Sequence, residues 1–258
     1  LRVDEITKDL LKSKQGRTFD LSKLTDDSMN KKGSARIIKP IEPDEMWAEG
    51  FGNRLILTED QIRESSEDSL IPFQNPNIST LLYKGSNNRL VGPYENIGIR
   101  SDTDKTISEG EIIFVIYKGK FVGISVGNEV AGNLRSKSPF WVSPSKVFKG
   151  CASIGPCILS MEDEEENSKP IRLKLEINQY RNNKLIAEGS IVSDFKLSPN
   201  DIVSATTAHD SPPDLVIQYS GGFAIARNQG DVIPLEDGDT VKIGLENVGF
   251  VQNKVEIV

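Results

Sequence analysis

Two apolar runs joined by a glycine turn constrain this chain more than any other feature. Ile112-Ile113-Phe114-Val115-Ile116-Tyr117 and Phe121-Val122-Gly123-Ile124-Ser125-Val126 flank Lys118-Gly119-Lys120, and β-branched and aromatic runs bracketing a glycine loop read as a hairpin. Apolar residues at successive positions make its strands central ones, covered on both faces. With Gly119 at the centre of a three-residue loop, Glu129 stands opposite Glu109, and opposed residues project from one face of the pair. Glu111 shares that face because side chains alternate along a strand. Glu109, Glu111 and Glu129 then crowd within roughly 5–7 Å at the Cβ level, which repulsion makes costly unless a cation lies among them. Hard oxygen donors of this kind suit Mg²⁺ or Mn²⁺. A lone Glu-x-Glu on a strand is more often the wet face of a sheet. Acids at the same end of two buried strands argue against that reading.

The rest of the chain predicts a mostly β protein with some α. Ile171, Leu173, Leu175 and Ile177 alternate with polar residues, Asn182-Asn183 interrupts, and Leu185-Ile186-Ala187 follows, the pattern of a hairpin with one buried face. Val241, Ile243 and Leu245 repeat the alternation. Residues 1–70 mix short helical patterns with polar breaks and read as a small N-terminal α+β lobe. Pro72 and Pro76 suit a connector, and 71–258 forms the larger domain. A chain of 258 residues has room for both.

Composition removes several classes of function. No apolar run approaches the roughly 18 residues of a membrane span. The 31 basic residues are scattered among 38 acidic ones, for a net charge of -7, so no nucleic-acid footprint is present. Cys151 and Cys157 are the only cysteines, too few for a disulfide scaffold, which points to a reducing cytoplasm. The single histidine, His209, falls in a polar stretch that reads as an exposed loop. No nucleophile elbow, phosphate-binding loop or dinucleotide fingerprint occurs. The acidic run Glu162 to Glu166 is a solvated loop, so carboxylate chemistry at the hairpin remains.

At this hairpin the sequence resembles the fumarylacetoacetate hydrolase superfamily, and the likeness covers roughly residues 36 to 258. Its most specific part is the ordered set of Glu109-Gly110-Glu111, a strand ending in Glu129, then Lys146, then Gly155-Pro156. Leu90-Val91-Gly92-Pro93-Tyr94-Glu95-Asn96-Ile97-Gly98-Ile99-Arg100-Ser101-Asp102 and the stretch from Pro139 to Cys157 resemble the branch containing 2-keto-3-deoxy-D-arabinonate dehydratase. The resemblance implies a mixed β-roll, a homodimer or homotetramer, and Mg²⁺ held by Glu109, Glu111 and Glu129. It implies a catalytic role for Lys146 and for Lys84, which precedes the Asn87-Asn88 turn. Arg100, Ser220, Gly221 and Gly222 become substrate-binding positions.

A 2-oxo acid can chelate such a metal through its carboxylate and keto oxygens, which stabilises the charge formed when a C3 proton is removed. The implied activity is a Mg²⁺-dependent dehydratase or hydratase acting on a 2-oxo acid, in particular a 2-keto-3-deoxy sugar acid. Three departures stand beside the matches. Glu129-Val130-Ala131-Gly132-Asn133 replaces the family's Asp-Val-Ser-Ala-Arg-Asp, Ser220-Gly221-Gly222 replaces Thr-Gly-Thr, and Thr80 falls where the dehydratase branch has a glutamate. These leave a non-catalytic paralogue that binds a small acid as the alternative. A C–C bond hydrolase of acylpyruvate type is the third reading, disfavoured because no histidine lies near Phe51-Gly52-Asn53-Arg54, where the family's lid begins.

Overall fold

Strands form where the sequence alternates or runs apolar, and they assemble into two mixed sheets. The computed structural model describes residues 20–49, 81–133, 142–161, 163–193 and 195–258. The chain divides into two units, 1–38 and 39–258. The lobe boundary expected near residue 70 and the proline connector lie outside the described residues.

In the first unit, helix α1 (Leu21–Met29) starts at Asp20, whose carboxylate accepts the Lys23 N–H at 2.8 Å, a cap that satisfies one of the free donors of a first turn. Ser28 Oγ accepts the Ile37 N–H at 2.8 Å and so ties the following segment to the helix.

The second unit contains, in chain order, β1 (Glu45–Ala48), β2 (Leu82–Gly85), β3 (Leu90–Val91), β4 (Asn96–Ile99), β5 (Lys105–Tyr117), β6 (Lys120–Asn133), helix α2 (Val142–Lys146) and β7 (Ala152–Ser160). There follow β8 (Lys174–Arg181), β9 (Lys184–Val192), helix α3 (Pro199–Thr207), β10 (Leu215–Ala224), β11 (Arg227–Asn228), β12 (Asp231–Val232), β13 (Thr240–Leu245) and β14 (Gly249–Ile257). Helix α3 begins with a capping box between Ser198 and Asp201 and a proline in its first turn, the sequence signature of a helix start. Among the described residues no helix is long and apolar enough to cross a membrane. His209 is exposed just past α3, and both cysteines are free thiols.

One sheet runs β2-β1-β10-β5-β6-β7-β3 and the other β12-β11-β9-β8-β13-β14-β4. Antiparallel pairs dominate, but β1 with β10, β3 with β7 and β4 with β14 are parallel, so both sheets are mixed. The first sheet is rolled, and its connectivity requires it. Its edge strands β2 and β3 are separated by Ser86–Arg89, which can span at most about 18 Å. Seven strands laid flat would put those edges about 29 Å apart.

Strand β5 is buried without a break from Ser108 to Ile116 because both its faces are covered. Its even-numbered positions face the second sheet: a Cβ on Gly110 would come 2.9 Å from Ile243 Cγ2. Its odd-numbered positions line the inside of the roll. Ile112, Phe114, Ile177, Val241 and Ile243 belong to one core cluster that spans the two sheets.

The hairpin register at the acids is the expected one, reached differently. The loop is two residues, Lys118 and Gly119, both at positive φ (50° and 69°), the turn whose twist matches paired strands. Tyr117 therefore faces Lys120, and Ile116 faces Phe121. The register then shifts so that Val115 faces Gly123, which leaves Val122 as an extra residue in β6, a β-bulge. The bulge restores the pairing of Glu109 with Glu129.

Candidate metal centre

The rolled sheet brings five charged side chains together inside it. Glu109 and Glu129 are directly paired, and Glu111 lies two residues along β5 on the same face. All three are buried, and one carboxylate oxygen from each lies within 4.8 Å of the others. Lys84 reaches this cluster from β2, four strands away from β6 in the sheet order, where a flat sheet would hold the backbones about 19 Å apart. Its Nζ contacts Glu129 Oε1 at 2.5 Å and donates to Val130 O at 2.7 Å. Lys146, the last residue of α2, donates to Glu109 Oε2 at 2.9 Å and also to Glu129 Oε2.

The positions expected to bind substrate divide. Ser220 and Gly221 belong to β10 where its pairing with β5 is interrupted, and there they serve a carboxylate. The Gly221 N–H donates to Glu111 Oε2 at 2.8 Å, and Ser220 Oγ lies 3.4 Å from the same atom. Gly221 has φ +70°, a conformation glycine adopts without strain. Gly222 follows in the same strand. Arg100 is engaged elsewhere: its Nε and Nη2 donate to the two oxygens of Asp102 at 2.8 and 2.6 Å. Among the described residues, none of the cluster's hydrogen bonds or ion pairs involves it. Thr80 and the Phe51–Arg54 segment lie outside the described residues.

Three supporting residues escaped the sequence reading. Tyr219 is fully buried inside the roll and donates its hydroxyl to Ser153 O at 2.8 Å. Cys151 Sγ approaches Lys84 O at 3.6 Å, and the Phe148 ring centroid lies 5.8 Å from Lys84 Nζ. Tyr219 directly precedes Ser220, the one signal that could have drawn attention to it. Cys151 and Phe148 carry no spacing that marks them.

Electrostatics separates the three acids. Burial, the largest influence, pushes the Glu109 carboxyl up to about 8; Lys146 opposes it, and Glu129 adds to it. Glu111 is raised well above the carboxylate range, by burial and then by the charges of Glu129 and Glu109, against the Gly221 N–H. Burial alone would raise Glu129 too, but Lys146 and Lys84 hold it below the usual range. Burial would likewise lower Lys146, and the charges of Glu109 and Glu129 reverse that direction.

The residues present fit a small, hard divalent cation. The Glu129 Oε1 atom is buried and has no directed hydrogen-bond donor, since Lys84 approaches it outside hydrogen-bond geometry. Octahedral coordination at 2.0–2.1 Å sets oxygens about 3.0–4.2 Å apart, a separation that three oxygens within 4.8 Å reach by small side-chain adjustments. An all-carboxylate donor set selects Mg²⁺ or Mn²⁺ over softer metals.

A mixed β-roll enclosing a buried carboxylate cluster with two lysines defines the class. The chain belongs to the fumarylacetoacetate (FAA) hydrolase C-terminal family, whose model matches residues 58–256. It is 28% identical over 221 residues to the probable 2-keto-3-deoxyxylonate dehydratase of Haloferax volcanii, covering 85% of this chain and 74% of that protein. It is 29% identical over 235 residues to the 2-dehydro-3-deoxy-D-arabinonate dehydratase of Saccharolobus solfataricus, covering 86% and 74%. The structure of 2-keto-3-deoxy-D-arabinonate dehydratase complexed with magnesium and 2,5-dioxopentanoate matches with a TM-score of 0.79 at 23% identity, over 99% of this chain and 89% of that one. That likeness shows the shared fold.

Proposed function

We propose that this chain is a divalent-metal-dependent lyase that removes water from a 2-keto-3-deoxy sugar acid, or adds it in reverse. One observation carries the reading: three buried carboxylates converge with two lysines inside the roll. The two dehydratase relatives support the reaction class, and the magnesium in the structural relative supports the ion.

Glu109, Glu111 and Glu129 would hold Mg²⁺, or Mn²⁺ in its place. The ion, when bound, supplies Lewis-acid stabilisation of the charge that develops on the keto oxygen as the C3 proton leaves. Gly221 and Ser220 orient Glu111 through its Oε2 atom. Lys84 fixes Glu129 from behind. Lys146 neutralises the substrate carboxylate or supplies the proton with which a hydroxyl departs as water. Arg100 contributes to substrate binding only by exchanging Asp102 for the substrate. Two free thiols support a cytoplasmic setting, and the family resemblance supports a homodimer or homotetramer.

A second reading is a non-catalytic paralogue that binds a small acid. Ala131-Gly132 and Ser220-Gly221-Gly222 favour it, because they replace side chains that could touch a substrate. A C–C bond hydrolase needs a water-activating base, and the only histidine lies exposed past α3.

Turnover decides between these readings. The protein is incubated with 2-keto-3-deoxy-arabinonate and 2-keto-3-deoxy-xylonate, with Mg²⁺ or with EDTA, and the dioxo acid product is followed by mass spectrometry. Metal-dependent loss of 18 Da, absent in Glu109→Ala/Glu111→Ala, is the expected result. Metal-dependent binding of these acids without turnover would support the paralogue instead.

A further inference from the structure

The two lysines of the cluster are held differently, and the difference carries an inference that rests on the metal-dependent reading above. Lys84 has no exposed surface, and its Nζ bonds a backbone carbonyl, Val130 O, as well as contacting Glu129. Lys146 keeps 20% of its side-chain surface exposed. Its partners among the described residues are two carboxylates that would also ligate the metal.

We propose that Lys146 is an exchangeable counter-ion. Its ammonium holds Glu109 and Glu129 until a divalent cation takes the same two carboxylates. The released side chain then receives the carboxylate of the incoming 2-oxo acid.

Charge balance gives the order of events. Three carboxylates, one divalent ion and Lys84 are neutral together, so metal entry leaves the charge of Lys146 unmatched. A dication repels a neighbouring ammonium twice as strongly as a second ammonium would at the same distance. Lys146 can leave because its side chain is partly exposed at the end of a five-residue helix. Lys84 cannot, because departure would strand both its own charge and Val130 O in the protein interior. The substrate carboxylate supplies the one negative charge that the metal-loaded site lacks. Metal and acid therefore bind synergistically, and by linkage each strengthens the other to the same degree.

The test is lysine accessibility, read by reductive methylation with formaldehyde and peptide mass spectrometry in EDTA, in Mg²⁺, and in Mg²⁺ plus oxalate. Lys149, 74% exposed, is the reference. Methylation of Lys146 is expected to rise about fivefold or more with Mg²⁺ and to fall back with oxalate, while Lys84 stays unlabelled. Calorimetry on Lys146→Met is expected to show Mg²⁺ binding about tenfold tighter than in the unsubstituted protein, without synergy with oxalate. If the unsubstituted protein binds Mg²⁺ while Lys146 labelling stays constant, the exchange is overturned and the metal centre stands. If neither protein binds Mg²⁺, the metal-dependent reading falls and the exchange falls with it. The labelling arm uses the unsubstituted protein, so it decides the matter even if Lys146→Met does not fold.

Discussion

Lys84→Met probes how strongly the roll depends on its internal ion pair. The substitution leaves Glu129 Oε1 buried without a counter-charge on that side, and it strands Val130 O. Removing one member of a buried ion pair costs about 3–5 kcal/mol, because the other charge is left uncompensated. The lost hydrogen bond adds about 1 kcal/mol. Two effects oppose this: Lys146 still faces Glu129 Oε2, and the flexible methionine chain packs beside Phe148 without needing a partner. The net expectation is a loss of about 2–4 kcal/mol. For a unit the size of residues 39–258, that lowers the melting midpoint by about 5–15 °C. The assay is calorimetry in metal-free buffer at pH 7, with Lys84→Met/Glu129→Gln as the second variant. Because the double variant removes both charges, it should recover at least half of the loss. A single variant melting within about 2 °C of the unsubstituted protein, or a double variant whose losses simply add, would refute the coupling.

Asp239 is buried and accepts from Arg181 Nε and Nη2, Gln179 Nε2 and the Glu236 N–H. Burial would raise its pKa, but Arg181 and the other donors hold it below the ordinary value. That stability is present above the unfolded pKa of about 3.9 and is lost as pH falls through the folded value. Asp239→Asn should therefore cost about 1–3 kcal/mol at pH 7, and melts should show the gap narrowing below about pH 4. A Cβ on Gly127 would lie 1.9 Å from Ser153 O, so Gly127→Ala should destabilise by about 3 kcal/mol or more, read by urea titration. Glu109, raised from 4.5 to about 8, stabilises the metal-free protein at low pH and withdraws that stability as pH rises through 8. Mg²⁺ must displace the same proton, and that of Glu111 with it, so its affinity should climb between pH 6 and pH 8. Calorimetry at pH 6 and 8, in buffers of different ionisation enthalpy, checks both the affinity and the proton release.

The hairpin was legible because its evidence is local. Glu109, Glu111 and Glu129 lie within 21 residues of chain, and alternation along two strands sufficed to place them on one face. Strand alternation at Leu175–Ile177 and Val241–Leu245 was equally readable, as was the exposed setting of His209. The lysines behind the acids were named only through the family resemblance, and their geometry was not legible. Lys84 meets Glu129 only because the first sheet curls, and curling is set by the short link from β2 to β3, whose partners lie at opposite edges. Spacing along the chain carries no trace of that closure. Ser220 and Gly221 were expected to bind substrate; their contact with Glu111 depends on an interruption in the β10–β5 pairing that no periodicity announces. Arg100 lies in a segment that matches the family, and Asp102 takes both of its donating nitrogens, a local pairing that spacing alone does not announce.

The bulge at Val122 decides which chemistry the hairpin can support. A two-residue loop carried forward without a bulge would set Glu129 opposite Ser108, on the face that Gly110 presents to Ile243. Because side chains alternate, a one-residue slip sends every later side chain of β6 to the other face. Glu129 would then be pressed against the second sheet, far from Lys84 and Lys146, while Asn128 would take its place beside Glu109. One extra residue thus converts a pair of acids into a triad. It does so at the turn end of the hairpin, where the ladder is easiest to disturb, and leaves the pairing from Gly123 to Asn133 intact. The same shift keeps Ile124, Val126 and Val130, all buried, on the face toward the second sheet, so the phase that completes the carboxylate cluster also fills the core.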